Sequence, residues 1–523
     1  MRSTLLSLAC LSFASLATSL SLHSPASFFP HHPLSFAVQQ EKEAKRLGVK
    51  PGIENYHTGN YQYSWKEQWY QAYVDNYNYN MMSSADTYPM RYLLNDTWWG
   101  GPSYPIFFYC GNEGFIELFA NNTGFMWDIA SQYKALIVFA EHRYYGLSMP
   151  FGDNSYDINN LAYLTAEQAL ADYAWMLMSL QTNLSATTAP VILFGGSYGG
   201  MLAAWSRIRN PTMSVGAIAS SAPILQIPGI MDPKAYNHIV TNDFGRANSQ
   251  APQAIYNTWN AMFDLMNTQS GRDTIASTLN ICGSLYTTDD VWNVIYWLSG
   301  AIGYMAMADY PYPANFLGPM PAFPCSVAAG YFTNPNGTPV ELLQAMNLGV
   351  GQIFYNYTGQ AGTCFNLSSS SPPGLQGDGW GVQCCKEVVQ PIGSYGLPSD
   401  FFWPSPFNET AFIQGCQQQF NGTTPRANWA AVQYGGWNLA GVSNIVFANG
   451  ELDPWYSGGI IKNVTGTYDV TAFIIEDGAH HLDLRSSNPA DPPSVIEARN
   501  IEKAAISRWS NAHYERLGID IRV

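Results

Sequence analysis

Ser197 stands in Gly195-Gly196-Ser197-Tyr198-Gly199-Gly200, after the apolar run Val191-Ile192-Leu193-Phe194 and before Met201-Leu202-Ala203-Ala204-Trp205. A strand-forming run, a tight glycine turn and helix formers, in that order, are the setting in which G-x-S-x-G lifts a serine hydroxyl off a sheet edge. The glycines are needed because the serine backbone is strained there and a flanking side chain would collide. The same turn puts the Tyr198 N–H at a helix start, where it can bind an oxyanion.

A serine alcohol needs a neighbouring base. Of the nine histidines, His23, His31 and His32 fall in the leader region, His57 just beyond it, His238 in a helical insertion and His513 in a terminal helix. His142 follows a strand but precedes Ser197, the wrong chain order for this chemistry. His480 and His481 remain, directly after the strong strand at 470–475, and His480 is favoured as the base. An orienting carboxylate belongs between serine and histidine on another loop that follows a strand. Asn449-Gly450-Glu451-Leu452-Asp453-Pro454-Trp455 supplies one; Asp453 is preferred, and on spacing alone Glu451 competes with it. A second oxyanion donor belongs to the loop Gly111-Asn112-Glu113-Gly114, through Asn112 or Glu113.

The elements that must position these residues follow. Short apolar runs at 105–109, 135–140, 191–194, 215–219, 444–448 and 470–475 predict buried strands, and 165–177 predicts a helix between two of them. Strands alternating with helices mean a mostly parallel sheet covered on both faces, and the order Ser, Asp, His is that of an α/β-hydrolase. Between about 222 and 355 the rhythm turns helical, which predicts an inserted cap domain. The domain organisation expected is a signal peptide over 1–19, a linker or pro-segment over 20–56, the hydrolase domain over 57–221 and 356–523, and the cap over 222–355. Ser368-Ser369-Ser370-Ser371-Pro372-Pro373 reads as an exposed loop.

Composition restricts the class further. The 523 residues are 47% hydrophobic, 14% aromatic and 12% charged, with a net charge of −15. That composition excludes a disordered chain, and the acidity disfavours nucleic acid as a partner. Met1-Arg2, the apolar stretch to Leu16 and Ala17-Thr18-Ser19 form a secretory signal, and no later run is long enough to insert stably in a membrane. Glycosylation triplets begin at Asn95, Asn121, Asn183, Asn336, Asn356, Asn366, Asn408, Asn421 and Asn463, a density that fits export. No C-x-x-C or other metal pattern occurs, so neither a metal nor a cofactor is expected. The seven cysteines after the signal leave at least one unpaired or intermolecular.

Together Gly111 to Gly114, Glu141-His142-Arg143-Tyr144-Tyr145-Gly146, Gly195 to Trp205, Asp309-Tyr310-Pro311-Tyr312-Pro313, Asn449 to Trp455 and Gly478-Ala479-His480-His481-Leu482-Asp483-Leu484-Arg485 resemble the family of lysosomal Pro-Xaa carboxypeptidase and dipeptidyl peptidase II. The resemblance runs from about residue 65 to near the end of the chain. It implies a lysosomal, vacuolar or secreted serine exopeptidase acting on proline-containing peptides, with the triad Ser197, Asp453 and His480. It implies that Met201 and Trp455 line the proline pocket. A carboxypeptidase needs a donor for the terminal carboxylate, for which His481 and Arg485 are candidates, whereas a dipeptidyl peptidase needs an acid for the terminal ammonium, such as Glu113 or an acid from the cap. The resemblance also implies disulfides Cys282–Cys364 and Cys385–Cys416, leaving Cys110, Cys325 and Cys384 unassigned, and a homodimer in keeping with many family members. Where the family tends to small residues after the tryptophan, this chain has Tyr456-Ser457, expected to narrow the pocket. Asp309 to Gly318 looks closer to the dipeptidyl branch and Glu451 to the carboxypeptidase branch, so the terminus that is held stays open. An esterase of the same fold or a silent binding module are the readings of other classes.

Overall fold

The computed structural model describes residues 61–79, 86–359, 362–367 and 377–523. The expected signal peptide and linker, His23, His31, His32 and His57, and the Ser368 to Pro373 loop lie outside the described residues.

Eight strands form the main sheet: β1 (Lys66–Tyr73), β2 (Thr87–Asn95), β3 (Ile106–Cys110), β4 (Leu136–Ala140), β5 (Val191–Gly196), β6 (Gly216–Ser220), β7 (Ser443–Gly450) and β8 (Tyr468–Ile475). Their spatial order is β1-β2-β4-β3-β5-β6-β7-β8. β1 runs antiparallel to β2 and β2 to β4; the remaining pairs are parallel. This is the α/β-hydrolase arrangement. Every residue of β3, β4, β5 and β6 is buried, which requires cover on both faces of the sheet. Phe107 of β3 meets Phe194 of β5 edge to face, with ring centroids 5.1 Å apart, which fixes side-chain packing across the central pair.

The six predicted strands form with ends shifted by up to two residues, and 165–177 becomes the helix α1 (Ala166–Asn183), N-capped by the Thr165 side chain. β1 and β2 are the additions. In β1 only one residue is buried, so Lys66-Glu67-Gln68-Trp69-Tyr70-Gln71-Ala72-Tyr73 carries no apolar run to read.

α2 (Tyr198–Arg209) follows β5 directly. The chain leaves the sheet at Ser220 and rejoins it at Ser443. That excursion holds helices Ala235–Ala247, Ala251–Leu265 and Gln269–Thr278, then α3 (Thr288–Met307), which starts with a capping box between Thr287 and Asp290. It continues past the expected cap boundary at 355 into helices Gly377–Cys384, Glu409–Gln419 and Trp429–Tyr434. The last helix, α4 (Pro493–Leu517), packs against β6, β7 and β8. Among the described residues no helix is long and apolar enough to cross a membrane.

Two disulfides staple the excursion, Cys282–Cys364 across 82 residues and Cys385–Cys416 across 31. These are the pairs that the resemblance implies, and loop-closure entropy makes each worth about 3–5 kcal/mol. Cys110, Cys325 and Cys384 are unpaired and buried. Among the glycosylation triplets, Asn95 requires correction. It is buried, its Nδ2 donates to the Ser64 carbonyl at 2.8 Å and its Oδ1 accepts from Thr97 N–H, so the nitrogen that would carry a sugar is committed inside the fold. Asn183, Asn336, Asn366, Asn408, Asn421 and Asn463 are exposed, and Asn121 and Asn356 are half-buried.

Candidate active site

The carboxyl ends of the parallel strands share one edge, and the loops leaving β3, β5, β7 and β8 converge above it. One cavity there is lined by Asn112, Glu113, Ser197, Tyr198, Met201, Trp455, His480 and His481, and by Phe119, Pro223, Met307, Phe316, Leu317, Trp380 and Gln390.

Ser197 joins β5 to α2 at φ 58° and ψ −130°, a left-handed conformation that a serine holds only under constraint. The constraint is visible in its neighbours. A Cβ at Gly195 would lie 2.0 Å from the Gly199 carbonyl oxygen, and one at Gly199 would lie 2.3 Å from Asn112 Oδ1 and 2.5 Å from the Cys110 carbonyl oxygen. The serine N–H donates to the Ser220 carbonyl at 3.0 Å and its carbonyl accepts from Met201 N–H at 2.9 Å. Tyr198 is the first residue of α2, where an N–H has no intrahelical acceptor. Its phenol is held from behind by Gln383 Nε2 at 2.7 Å and by His142 Nε2 at 3.1 Å. Burial holds the His142 imidazole down to about 3, so it stays neutral, and its position in the chain had excluded only the role of base.

The Asn112 side chain is spent on structure: Nδ2 donates to the Gly196 carbonyl at 2.7 Å and Oδ1 accepts from the Tyr109 hydroxyl at 2.8 Å. It straps the loop after β3 to the serine turn.

His480 and Asp453 are both buried, with Nδ1 2.7 Å from Oδ2. The second carboxylate oxygen accepts from Trp455 N–H at 3.1 Å. A carboxylate only accepts, so Nδ1 carries the proton and Nε2 is left as an acceptor. The His480 backbone is fixed at both ends, its N–H donating to the Met307 carbonyl and its carbonyl accepting from the Tyr310 hydroxyl, each at 3.0 Å. Glu451 points elsewhere, into an ion pair with Arg246 at 2.6 Å.

His481 sits at φ 38°, its N–H on Ser221 Oγ at 2.8 Å and its ring against Phe316. Burial, with His480 and Arg485 close by, holds its imidazole well below the usual range. Arg485 is the expected substrate contact that the cavity does not contain. Its guanidinium lies 4.5 Å from the centre of the Tyr310 ring and donates to Asn122 Oδ1 at 3.1 Å. Tyr456 likewise lines a separate cleft, with Asp243, Arg246 and Glu451, and does not narrow this one. Phe316 and Leu317 fall in the Asp309 to Gly318 segment that the resemblance marked, whereas Phe119, Met307, Trp380 and Gln390 follow no motif, so the sequence offered no signal for them.

The serine carboxypeptidase S28 family model matches residues 73–502. The chain is 43% identical over 452 residues to the lysosomal Pro-X carboxypeptidase of Homo sapiens, covering 86% of this chain and 89% of that one. It is 38% identical over 465 residues to the prolyl carboxy peptidase like protein 5 of Caenorhabditis elegans, covering 86% and 90%. It is 28% identical over 469 residues to the thymus-specific serine protease of Mus musculus, covering 85% and 87%. With a family match across most of its length and relatives this similar over nearly their whole extent, the chain belongs to the serine carboxypeptidase S28 family and is a serine peptidase.

Proposed function

We propose that this chain is an acid-compartment carboxypeptidase that releases a single C-terminal residue from peptides whose penultimate residue is proline. The observation that carries the reading is His480, held by the buried Asp453, lining the same cavity as the strained Ser197. The relatives named for Pro-X carboxypeptidase supply the substrate class, and the cavity wall of Met201 and Trp455 suits a proline ring.

In this mechanism Ser197 Oγ attacks the proline carbonyl carbon while His480 Nε2 takes its proton. Asp453 keeps the other ring proton on Nδ1 and stabilises the imidazolium. The oxyanion is received by the Tyr198 N–H and by an N–H of the loop at Asn112 and Glu113. Collapse breaks the C–N bond; His480 returns the proton to the departing amine, leaving an acyl-enzyme on Ser197. Water, deprotonated by His480, then frees the proline carboxylate and restores the serine. The leader sequence and the lysosomal relatives support a lysosomal, vacuolar or extracellular site, and a homodimer remains the expectation from the resemblance.

A dipeptidyl peptidase reading would use the Glu113 carboxyl on the cavity wall as the partner of a substrate ammonium. Mass spectrometry decides between the two. An unblocked peptide with proline second from each end is incubated at pH about 5 with wild type and with Ser197→Ala. Loss of one C-terminal residue, absent in the variant, is the expected outcome. Loss of an N-terminal dipeptide would replace this reading with the dipeptidyl one, and no serine-dependent cleavage would bring the esterase or silent-module readings forward.

A further inference from the structure

A peptidase that removes one residue must recognise the free carboxylate next to the bond it cuts. Fixed cations usually do this, yet among the described residues lining the cavity there is no Lys or Arg. There is one acid, Glu113. It is 5% exposed, and its Oε2 is buried with no hydrogen-bond partner.

Leaving an ionised carboxylate there would be costly, and burial pushes its carboxyl up to about 7, against the opposing pull of its own backbone N–H, His480 and Asn112. The other titratable groups that face it are Tyr109 from β3, Tyr145 from the loop after β4, Tyr198 at the start of α2 and Cys384 from helix Gly377–Cys384. Burial pushes all four up, so each keeps its proton and stays neutral, and His480 faces the same carboxyl. In an acid compartment the Oε2 hydroxyl is therefore a donor without an acceptor, in the cavity that Ser197 also lines. A C-terminal carboxylate is the acceptor such a group lacks, and the resulting charge-assisted O–H···O bond is among the stronger ones.

We propose that the Glu113 carboxylic acid recognises the substrate's free C-terminal carboxylate, donating its Oε2 proton to it in a hydrogen bond. The inference rests on the carboxypeptidase reading above and deepens it. It makes Glu113 a specificity residue and explains carboxylate selection without an arginine. It also has a sign opposite to ammonium recognition. A carboxylate is held less well as Glu113 ionises, whereas an ammonium is held better.

The test compares two N-acylated peptides that differ only in ending as a free acid or an amide, with proline penultimate, from pH 4 to 8. Wild type, Glu113→Gln and Glu113→Ala are measured, each checked for an unchanged thermal melt. A hydrogen bond to a charged group predicts a free-acid preference in kcat/KM of about ten- to a hundredfold for wild type, shrinking above pH about 7. Glu113→Gln, whose amide donates without titrating, keeps a preference that no longer varies with pH. Glu113→Ala loses the preference, chiefly through KM. A preference that survives Glu113→Ala, or that grows with pH in wild type, overturns the inference while leaving the carboxypeptidase reading intact. Wild type that cuts neither acylated peptide but takes a dipeptide from a free amine sinks the underlying reading instead.

Discussion

The loop from Gly478 to Arg485 carries two buried carboxyl contacts, and they behave differently. On one side Asp453 meets His480 at 2.7 Å, an acid against a base, with a proton available to share. On the other, Asp483 meets Glu502 of α4, acid against acid, both fully buried. Asp483 Oδ1 also accepts from Ser220 Oγ at 2.6 Å, which joins this contact to the residue whose carbonyl receives Ser197 N–H. Arg499 sits nearby, but its donors go to the carbonyls of Leu482, Asp483 and Arg485 and to Asp491. Two carboxylates without a donor between them must hold a proton. Equal burial therefore yields a proton-moving pair on the reactive side and a proton-retaining clasp on the structural side.

Breaking the reactive side costs the most. Ser197→Ala is expected to lower kcat by about 10⁴–10⁶, read from initial rates on a Pro-Xaa peptide. Asp453→Asn leaves the shape but puts the wrong tautomer on His480, with an expected fall in kcat of about 10⁴. A loss below tenfold would mean that the orienting acid lies elsewhere, Glu451 being the first to try. Gly199→Ala forces a methyl into Asn112 Oδ1 and the Cys110 carbonyl, and should destabilise the fold by about 1–3 kcal/mol while depressing activity. Chemical denaturation measures it.

The smallest effect sharpens the structural side. Burial, reinforced by the facing carboxyl, raises Glu502 well above the usual range, and burial raises Asp483. A raised carboxyl contributes stability that is complete below the unfolded value of about 4 and is lost as pH climbs towards the folded value. The melting temperature should therefore drop from pH 4 to 7, and Glu502→Gln should flatten that slope with little change in kcat. A slope that persists in the variant would place the pH sensitivity in other groups.

Much of this frame was legible in the sequence, for physical reasons. Strands buried on both faces must be apolar throughout, so β3 to β6 declare themselves, whereas half-exposed β1 and β2 do not. The serine turn is readable because its glycines sit where a Cβ has no space. Spacing could not separate Asp453 from Glu451, two residues apart on one turn, because only the fold decides which faces His480 and which faces Arg246. Arg485 had the charge to receive a carboxylate, but the fold sets its guanidinium against the Tyr310 ring and Asn122 and not in the cavity lining. The cavity wall contributed by the excursion after β6 was harder to read, since Met307, Trp380 and Gln390 come from separate segments that only the tertiary fold brings together.

The most direct test of the central claim is active-site labelling with a fluorophosphonate, followed by peptide mapping of wild type, Ser197→Ala and Asp453→Asn. The account predicts one adduct, on Ser197, formed rapidly in wild type, much more slowly in Asp453→Asn and not at all in Ser197→Ala. An adduct on another residue, or equal labelling of wild type and Asp453→Asn, would contradict it.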